Sequence, residues 1–346
     1  TGNSVVDMIN KTDLDWINAQ ISRKAYIWLN YPVTDYCVDR LLMGPTYGND
    51  TNIASQLSGF TANPMEYAEA SKVALYSIAD YTWNMSKYNS NSSWLRGLKY
   101  LMPQNYDAFK IFCENNIDLG STAHGLRRSG ESAEFKTVAD AFMTDFTAGK
   151  YNSAQINALA EQFQRFINST NELTASTNNP YLIEEIKPWM DVFSLMGQRG
   201  KLLLDMYEAL NAEDSVAFIN HYLKTDSLEI VQGKIRSRDF SGSIKNPYPK
   251  PANEVVAPFL KQLKARLINN YRNKFDYRTD VFPTILLENG NYYIKYNGKY
   301  LTNRNANASG GNPEFLADRD SINPQRQEWT VSIDPITERY SIRNKQ

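Results

Sequence analysis

Cysteine and histidine are almost missing from this chain of 346 residues, which holds two of each. Cys37 and Cys113 cannot make a disulfide scaffold, and neither sits in a metal-ligand spacing. Cys37 reads as a small, buried hydrophobe rather than a nucleophile. His124 and His221 stand alone, so no zinc site is expected. A charge excess of one sign is also absent, with 37 basic residues against 38 acidic and no long basic block. That argues against a nucleic-acid partner held through its phosphates. No apolar run approaches the roughly 20 residues needed for a spanning helix, so no membrane span is expected. Two adjacent aspartates occur nowhere. Thr1-Gly2-Asn3-Ser4 carries neither an initiator Met nor a signal peptide, and Asn344-Lys345-Gln346 closely follows an apparent strand. Both ends are expected to be cut from a longer protein.

What is plentiful is aromatic: 22 Tyr and 6 Trp, in a length that accommodates two or three domains. The most informative stretch is Lys24–Asp35, KAYIWLNYPVTD. Ala25-Tyr26-Ile27-Trp28-Leu29 is a run of β-formers with little polar relief, which predicts a strand buried on both faces, as in a parallel sheet wrapped by helices. Ligands of α/β barrels and open α/β sheets are met just past the carboxyl ends of strands. Trp28, Asn30 and Asp35 fall there, an aromatic ring for a sugar face with an amide and a carboxylate for its hydroxyls. An ordinary core strand with a capped turn after it is the competing reading.

In chain order, residues 10–20 predict a helix capped by Thr12 or Asp13, with Leu14 and Ile17 on its apolar face. Gly44–Asp50 reads as a loop, and Ser58–Pro64 as a second short strand ending in Asn63. A helix is expected from Met65. Helix, strand, loop, strand, helix is α/β grammar. Beyond Trp83 the period is helical. Phe135, Val138, Phe142 and Phe146 share a face that Gly149 ends. Asn152 with Gln155 resembles a capping box before Ile156, Leu159, Phe163, Phe166 and Ile167. Further helices are expected over 184–210, with Pro188 near the start, then 214–232 and 254–273 after a Pro-rich linker at 246–251. These predict an antiparallel bundle whose aromatics form its core. Past Asp280 the pattern turns to short strands. Tyr292–Tyr296 and Lys299–Leu301 flank Asn297-Gly298 as a hairpin, and Phe315-Leu316, Trp329–Ile333 and Tyr340–Ile342 follow.

Several ordered blocks carry a family resemblance: Thr1–Val6, Ala25–Asp35, Gly44-Pro45 through Gly48-Asn49-Asp50, and Ser58–Glu66. Together they resemble the end of the catalytic barrel of bacterial O-GlcNAcase-type β-N-acetylglucosaminidases, glycoside hydrolase family 84, some of which are classed as hyaluronidases. The similarity extends to about Arg128, including His124-Gly125-Leu126-Arg127-Arg128, and weakens through the helical part. Beside the α-helical bundle over 129–280 and the partial, lectin-like all-β module over 281–346 that the residue patterns predict, it implies the C-terminal portion of a (β/α)8 TIM barrel over 1–128. It further implies that Thr1 and Trp28 shape the pocket for the N-acetyl group. Asn30 would lie near the anomeric centre, Asp35 would take the outer hydroxyls at the 4- and 6-positions, and Asn63 would bind hydroxyls beside them. Read as residues alone, Asn63 before Pro64 equally suits a strand end and helix cap, and Asp35 a turn.

The family's chemistry is substrate-assisted, with the acetamido oxygen attacking the anomeric carbon. One of two adjacent aspartates orients that amide and the other serves as general acid, then base. Because this chain has no Asp-Asp pair, it contains no catalytic residue under this reading. The pair would lie upstream of Thr1, and the isolated chain is expected to be inactive. A second, weaker resemblance runs through Tyr292–Leu301, Phe315–Ala317, Gln327-Glu328-Trp329 and Tyr340–Ile342. It is to a ricin-type β-trefoil lectin, of which about one and a half lobes fit. The expected partners are a glycan or glycoprotein bearing N-acetylglucosamine and the absent N-terminal segment of the same protein. The expected location is secreted or periplasmic. A non-catalytic carbohydrate-binding or scaffold protein with a lectin-like module is the rival from another class, and a degenerate barrel that binds sugar without cleaving it is a third.

Overall fold

The computed structural model describes residues 8–117, 130–237, 247–275, 290–296, 299–303, 313–316, 324–333 and 340–344. Contacts divide the chain into two units, Thr1–Leu260 and Lys261–Gln346. The domain joints expected at 128/129 and 280/281 lie outside the described residues.

The first unit opens with helix α1 (Lys11–Ile21). Its cap is Asn10, not Thr12 or Asp13: Asn10 is extended (φ −119°) and its side chain accepts the Asp13 N–H, whereas the other two already lie within the helix. Strands β1 (Ala25–Pro32) and β2 (Leu57–Asn63) pair in parallel, with Tyr26 beside Gly59, Trp28 beside Thr61 and Pro32 beside Asn63. Alternation along β1 sends Ala25, Ile27 and Leu29 to one face, where they join Leu14, Ile53, Phe60, Tyr81 and Met85 in a buried cluster. Tyr26 and Trp28, on the other face, are 64% and 66% exposed. The expectation of burial on both faces is therefore corrected. Among the described residues β1 pairs only with β2, and the face carrying the two large rings is uncovered.

Helix α2 (Ala68–Trp83) starts later than Met65. The Met65 N–H is instead taken by the Ser71 hydroxyl at 3.0 Å, which holds 64–67 as a bend before the helix. Asn63 does not cap it. That end receives a carboxylate from elsewhere, since Glu185 Oε2 accepts the Ala70 N–H at 2.8 Å and satisfies one of the otherwise orphaned first-turn amides. Helices α3 (Ser90–Leu101), α4 (Tyr106–Glu114), α5 (Ala133–Thr147), α6 (Ser153–Thr174), α7 (Pro180–Asn211), α8 (Ser215–Gln232) and α9 (Val256–Phe275) follow. Asn152 caps α6 through the Gln155 N–H, Asp214 caps α8 through the Ala217 N–H, and Gly149 leaves α5 at φ +68°. Helix α7 begins at Pro180, four residues before the expected start, so Pro188 lies within the helix. Asn179 in the left-handed region sets up the start, and Pro180 fixes the backbone at the first helical position.

Helix α6 packs on α4, α5 and α7, and α7 packs on α8. The rings between them are core, as their spacing predicts. Phe135 lies 5.5 Å from Phe163 and 5.4 Å from Phe259, and Phe166 lies 4.4 Å from Phe193. Each such ring takes roughly 150–250 Å² out of water. The close approach of α6 and α7 depends on Gly197, where a Cβ would stand 2.8 Å from the Phe163 carbonyl oxygen. Alanine at an open helical glycine gains about 1 kcal/mol of helix propensity. Here a backbone atom blocks it, and overpacking of about 1–3 kcal/mol outweighs that gain. Gly197→Ala should therefore lower the denaturant midpoint; an unchanged or higher midpoint would show that the helices part freely.

The second unit holds short antiparallel strands: β3 (Gly290–Tyr293), β4 (Lys295–Tyr296), β5 (Lys299–Asn303), β6 (Pro313–Leu316), β7 (Glu328–Ile333) and β8 (Tyr340–Asn344). They form two sheets, β3-β7-β8 and β4-β5-β6. Strands β4 and β5 pair on either side of Asn297-Gly298, residues that lie outside those described. Trp329 is buried and its Nε1 donates to the Leu301 carbonyl at 2.8 Å, while buried Gln327 donates through Nε2 to Thr302 Oγ1 at 3.3 Å.

Candidate functional site

Three of the five residues singled out by sequence meet where β1 and β2 end. Trp28 and Asn30 are two apart on one strand and so share its open face. Trp28 Nε1 donates to Asn30 Oδ1 at 2.8 Å, and Asn63 Nδ2 from the neighbouring strand donates to the same oxygen at 3.3 Å. The register slips between Leu29 and Pro32, which brings Asn63 level with Pro32 and within reach of Asn30. With Asn30 Oδ1 committed, the Asn30 amide nitrogen still has donors to offer and the Asn63 side-chain oxygen is still an acceptor. The indole, tied at its nitrogen, keeps most of its surface open. An aromatic wall beside a converging donor and acceptor suits a pyranose, which has an apolar face and a rim of hydroxyls.

Asp35 is not part of that cluster. It lies beyond the Tyr31–Pro32 peptide, which is cis, at an exposed place in a turn that the Cys37 N–H closes on the Thr34 carbonyl at 2.9 Å. Its carboxylate has no hydrogen-bond or ion-pair partner among the described residues and so remains available to a ligand. Thr1 lies outside the described residues, as do His124–Arg128. Sequence reading passed over Tyr26, which shares the open face, and Gly59, which makes room for it: a Cβ at Gly59 would fall 2.3 Å from the Tyr26 ring. The alternation Tyr26-Trp28-Asn30 was the available signal, hidden inside a run read as uniformly buried.

The floor beneath this face is fixed by two phenols, Tyr81 buried and Tyr88 half-buried. Tyr81 donates to the Asp50 carbonyl and Tyr88 to the Thr46 carbonyl, both at 2.6 Å, which ties the Gly44–Asp50 loop to the helical side. Burial, reinforced for Tyr81 by the Asp50 carboxylate, pushes both phenols up to about 12, so both remain protonated donors. A separate cavity of about 220 Å³, bordered by Trp94, Asn115, Ser132, Glu134 and Arg165, contains none of the predicted site residues.

Residues 1–114, which include both strands and all five predicted positions, match a family described as beta-N-acetylglucosaminidase. Residues 131–264 match the bacterial GH84 post-catalytic domain. The helical segment of the chain is thus similar to glycoside hydrolase family 84. The two matched segments stand in consecutive order and end at residue 264, short of the strands of the second unit. Curated relatives include protein O-GlcNAcase of Rattus norvegicus and of Mus musculus, each 34% identical over 90 residues, 26% of this chain and 10% of theirs. Among solved structures, that of CpGH84B is 25% identical with a TM-score of 0.64, over 75% of this chain and 43% of that one. An O-GlcNAc hydrolase mutant of Thermobaculum terrenum is 21% identical with a TM-score of 0.62, over 79% and 56%, and shares the fold. The chain thus spans a tenth of the length of the curated relatives and under half of CpGH84B.

Proposed function

We propose that this chain belongs to glycoside hydrolase family 84 and supplies the sugar-binding side of a retaining β-N-acetylglucosaminidase whose general acid/base lies on a segment this chain does not contain. The carrying observation is the convergence of Trp28 and Asn63 on Asn30 Oδ1 at the carboxyl ends of two parallel strands. In this reading the open face of β1 and β2 looks into the interior of a (β/α)8 barrel, Trp28 walls the acetamido group, and Asn30 and Asn63 hold hydroxyls beside the anomeric centre. Thr1 completes the acetamido pocket, and Asp35 closes over the outer hydroxyls.

The parent protein would remove terminal β-linked N-acetylglucosamine from glycans or glycoproteins outside the cytoplasm, with hyaluronan as one candidate substrate. The chemistry needs a proton donor at the leaving oxygen and a group orienting the acetamide. Neither Asn30 nor Asn63 can donate and recover a proton near neutral pH. Hydrolysis of an aryl N-acetyl-β-glucosaminide is therefore expected from the full-length protein and not from this chain alone; turnover by the isolated chain overturns the division of labour. For the C-terminal strands, burial of Gln327 and Trp329 supports a lectin-like module. Binding of free N-acetylglucosamine by residues 281–346, in the full-length protein with the barrel site blocked, is its test; no binding there removes the lectin-like reading.

A further inference from the structure

Asp35 is exposed and has no partner among the described residues, yet the chain just after it is fastened at successive positions, and most of the fasteners come from the helical segment. The Cys37 N–H closes one turn on Thr34, and the Arg40 N–H closes the next on Cys37, each at 2.9 Å. The carbonyl of Asp39, in the second turn, accepts two hydrogen bonds. One comes from Trp189 Nε1 on α7 at 2.9 Å and the other from the Lys250 N–H at 2.8 Å. Its carboxylate pairs with Lys250 Nζ at 2.5 Å, and Arg40 pairs with Glu254 at 3.0 Å. Tyr67 stands edge-on to Trp189 with 4.8 Å between centroids and donates to the Val38 carbonyl at 3.2 Å. Trp189 is fully buried. Its one polar atom is therefore spent on a main-chain oxygen of the very loop that carries Asp35, more than a hundred residues away in sequence.

We infer that Trp189 is a positioning residue for sugar binding: it latches the 37–40 turn to the helical segment and thereby fixes where the Asp35 carboxylate stands. This rests on the reading of Asp35 as a sugar ligand. Held loosely, Asp35 would sample places from which it cannot meet a hydroxyl. The loss would fall equally on bound substrate and transition state, which appears as a higher KM at unchanged kcat. The helical segment would then be part of the binding apparatus and not only a support.

Trp189→Phe keeps a ring against Tyr67 and removes the N–H. In the full-length protein, with an aryl N-acetyl-β-glucosaminide, KM should rise roughly threefold to tenfold, the range expected for one lost hydrogen bond, with kcat within about twofold. In an Asp35→Ala background the same change should add no further rise, because the two act through one contact. Lys250→Met, which removes only the side-chain arm of the latch, should give a smaller rise of the same kind.

The chain described here provides a second readout that needs no turnover. Cys37 sits within the latched turns and is half-buried, whereas Cys113 is buried. Trp189→Phe should speed labelling of Cys37 by a small thiol reagent at least about threefold, with Cys113 still protected. Unchanged labelling overturns the latch. Unchanged KM in an active full-length protein overturns its role in binding. If the wild-type full-length protein does not cleave the aryl sugar, it is the reading of Asp35 that fails, and the labelling result still decides the latch.

Discussion

Alanine at Asp35 should weaken N-acetylglucosamine binding by the full-length protein about 100-fold while leaving the fold intact. A carboxylate that accepts from two sugar hydroxyls makes two hydrogen bonds to a charged group, each worth roughly 1.5–3 kcal/mol. About 3 kcal/mol in all corresponds to two decades of affinity. The fold has little to lose, because the side chain is exposed with no partner among the described residues, and surface changes of that kind fall within about 0.5 kcal/mol. Titration calorimetry with the sugar, beside a thermal melt, separates the two effects. An affinity change of less than about threefold at an unchanged melting temperature would remove Asp35 from the site.

A second large effect is expected far from the sugar. Phe163 is fully buried, lies against Phe135, Phe166 and Phe259, and fills the space left by Gly200, where a Cβ would come within 2.3 Å of its ring. Phe163→Ala should lower the unfolding free energy by about 3–5 kcal/mol, the sum of lost transfer energy and an unfilled cavity. That is a large share of the roughly 5–15 kcal/mol typical of a domain. Denaturant titration of the chain decides it. A loss below about 1 kcal/mol would mean that α5, α6 and α7 collapse onto the gap. Because α7 also carries Trp189, milder losses in this core should speed Cys37 labelling before global unfolding is reached.

Much of this architecture was legible in the sequence because its signals are local. Asn152 and Asp214 sit where caps must, Gly149 sits where a left-handed residue must, and Phe135, Phe142 and Phe146 recur at helical spacing. The errors have local causes as well. The first helix takes Asn10 as its cap because only that residue has the extended backbone a cap needs, although Thr12 and Asp13 offer equally good side chains. The start of α2 moves past Met65 because Ser71, within the helix, captures the Met65 N–H. Glu185, which caps α2 from α7, could not be found by any spacing rule.

Taken alone, the chain order of residues determined a β-rich run ending in Trp28, Asn30 and Asp35, a second ending in Asn63, a long helical stretch and a late set of short strands. Propensity and periodicity act between near neighbours, and those suffice for elements and for the residue types a sugar requires. Only the tertiary structure decided that Asn30 Oδ1 gathers Trp28 and Asn63, that the Trp28 face of β1 is open, and that the Asp35 loop is tied to Trp189 and Lys250. Those are contacts between segments tens to hundreds of residues apart. Their existence depends on register, burial and chain path, which no short window of sequence encodes.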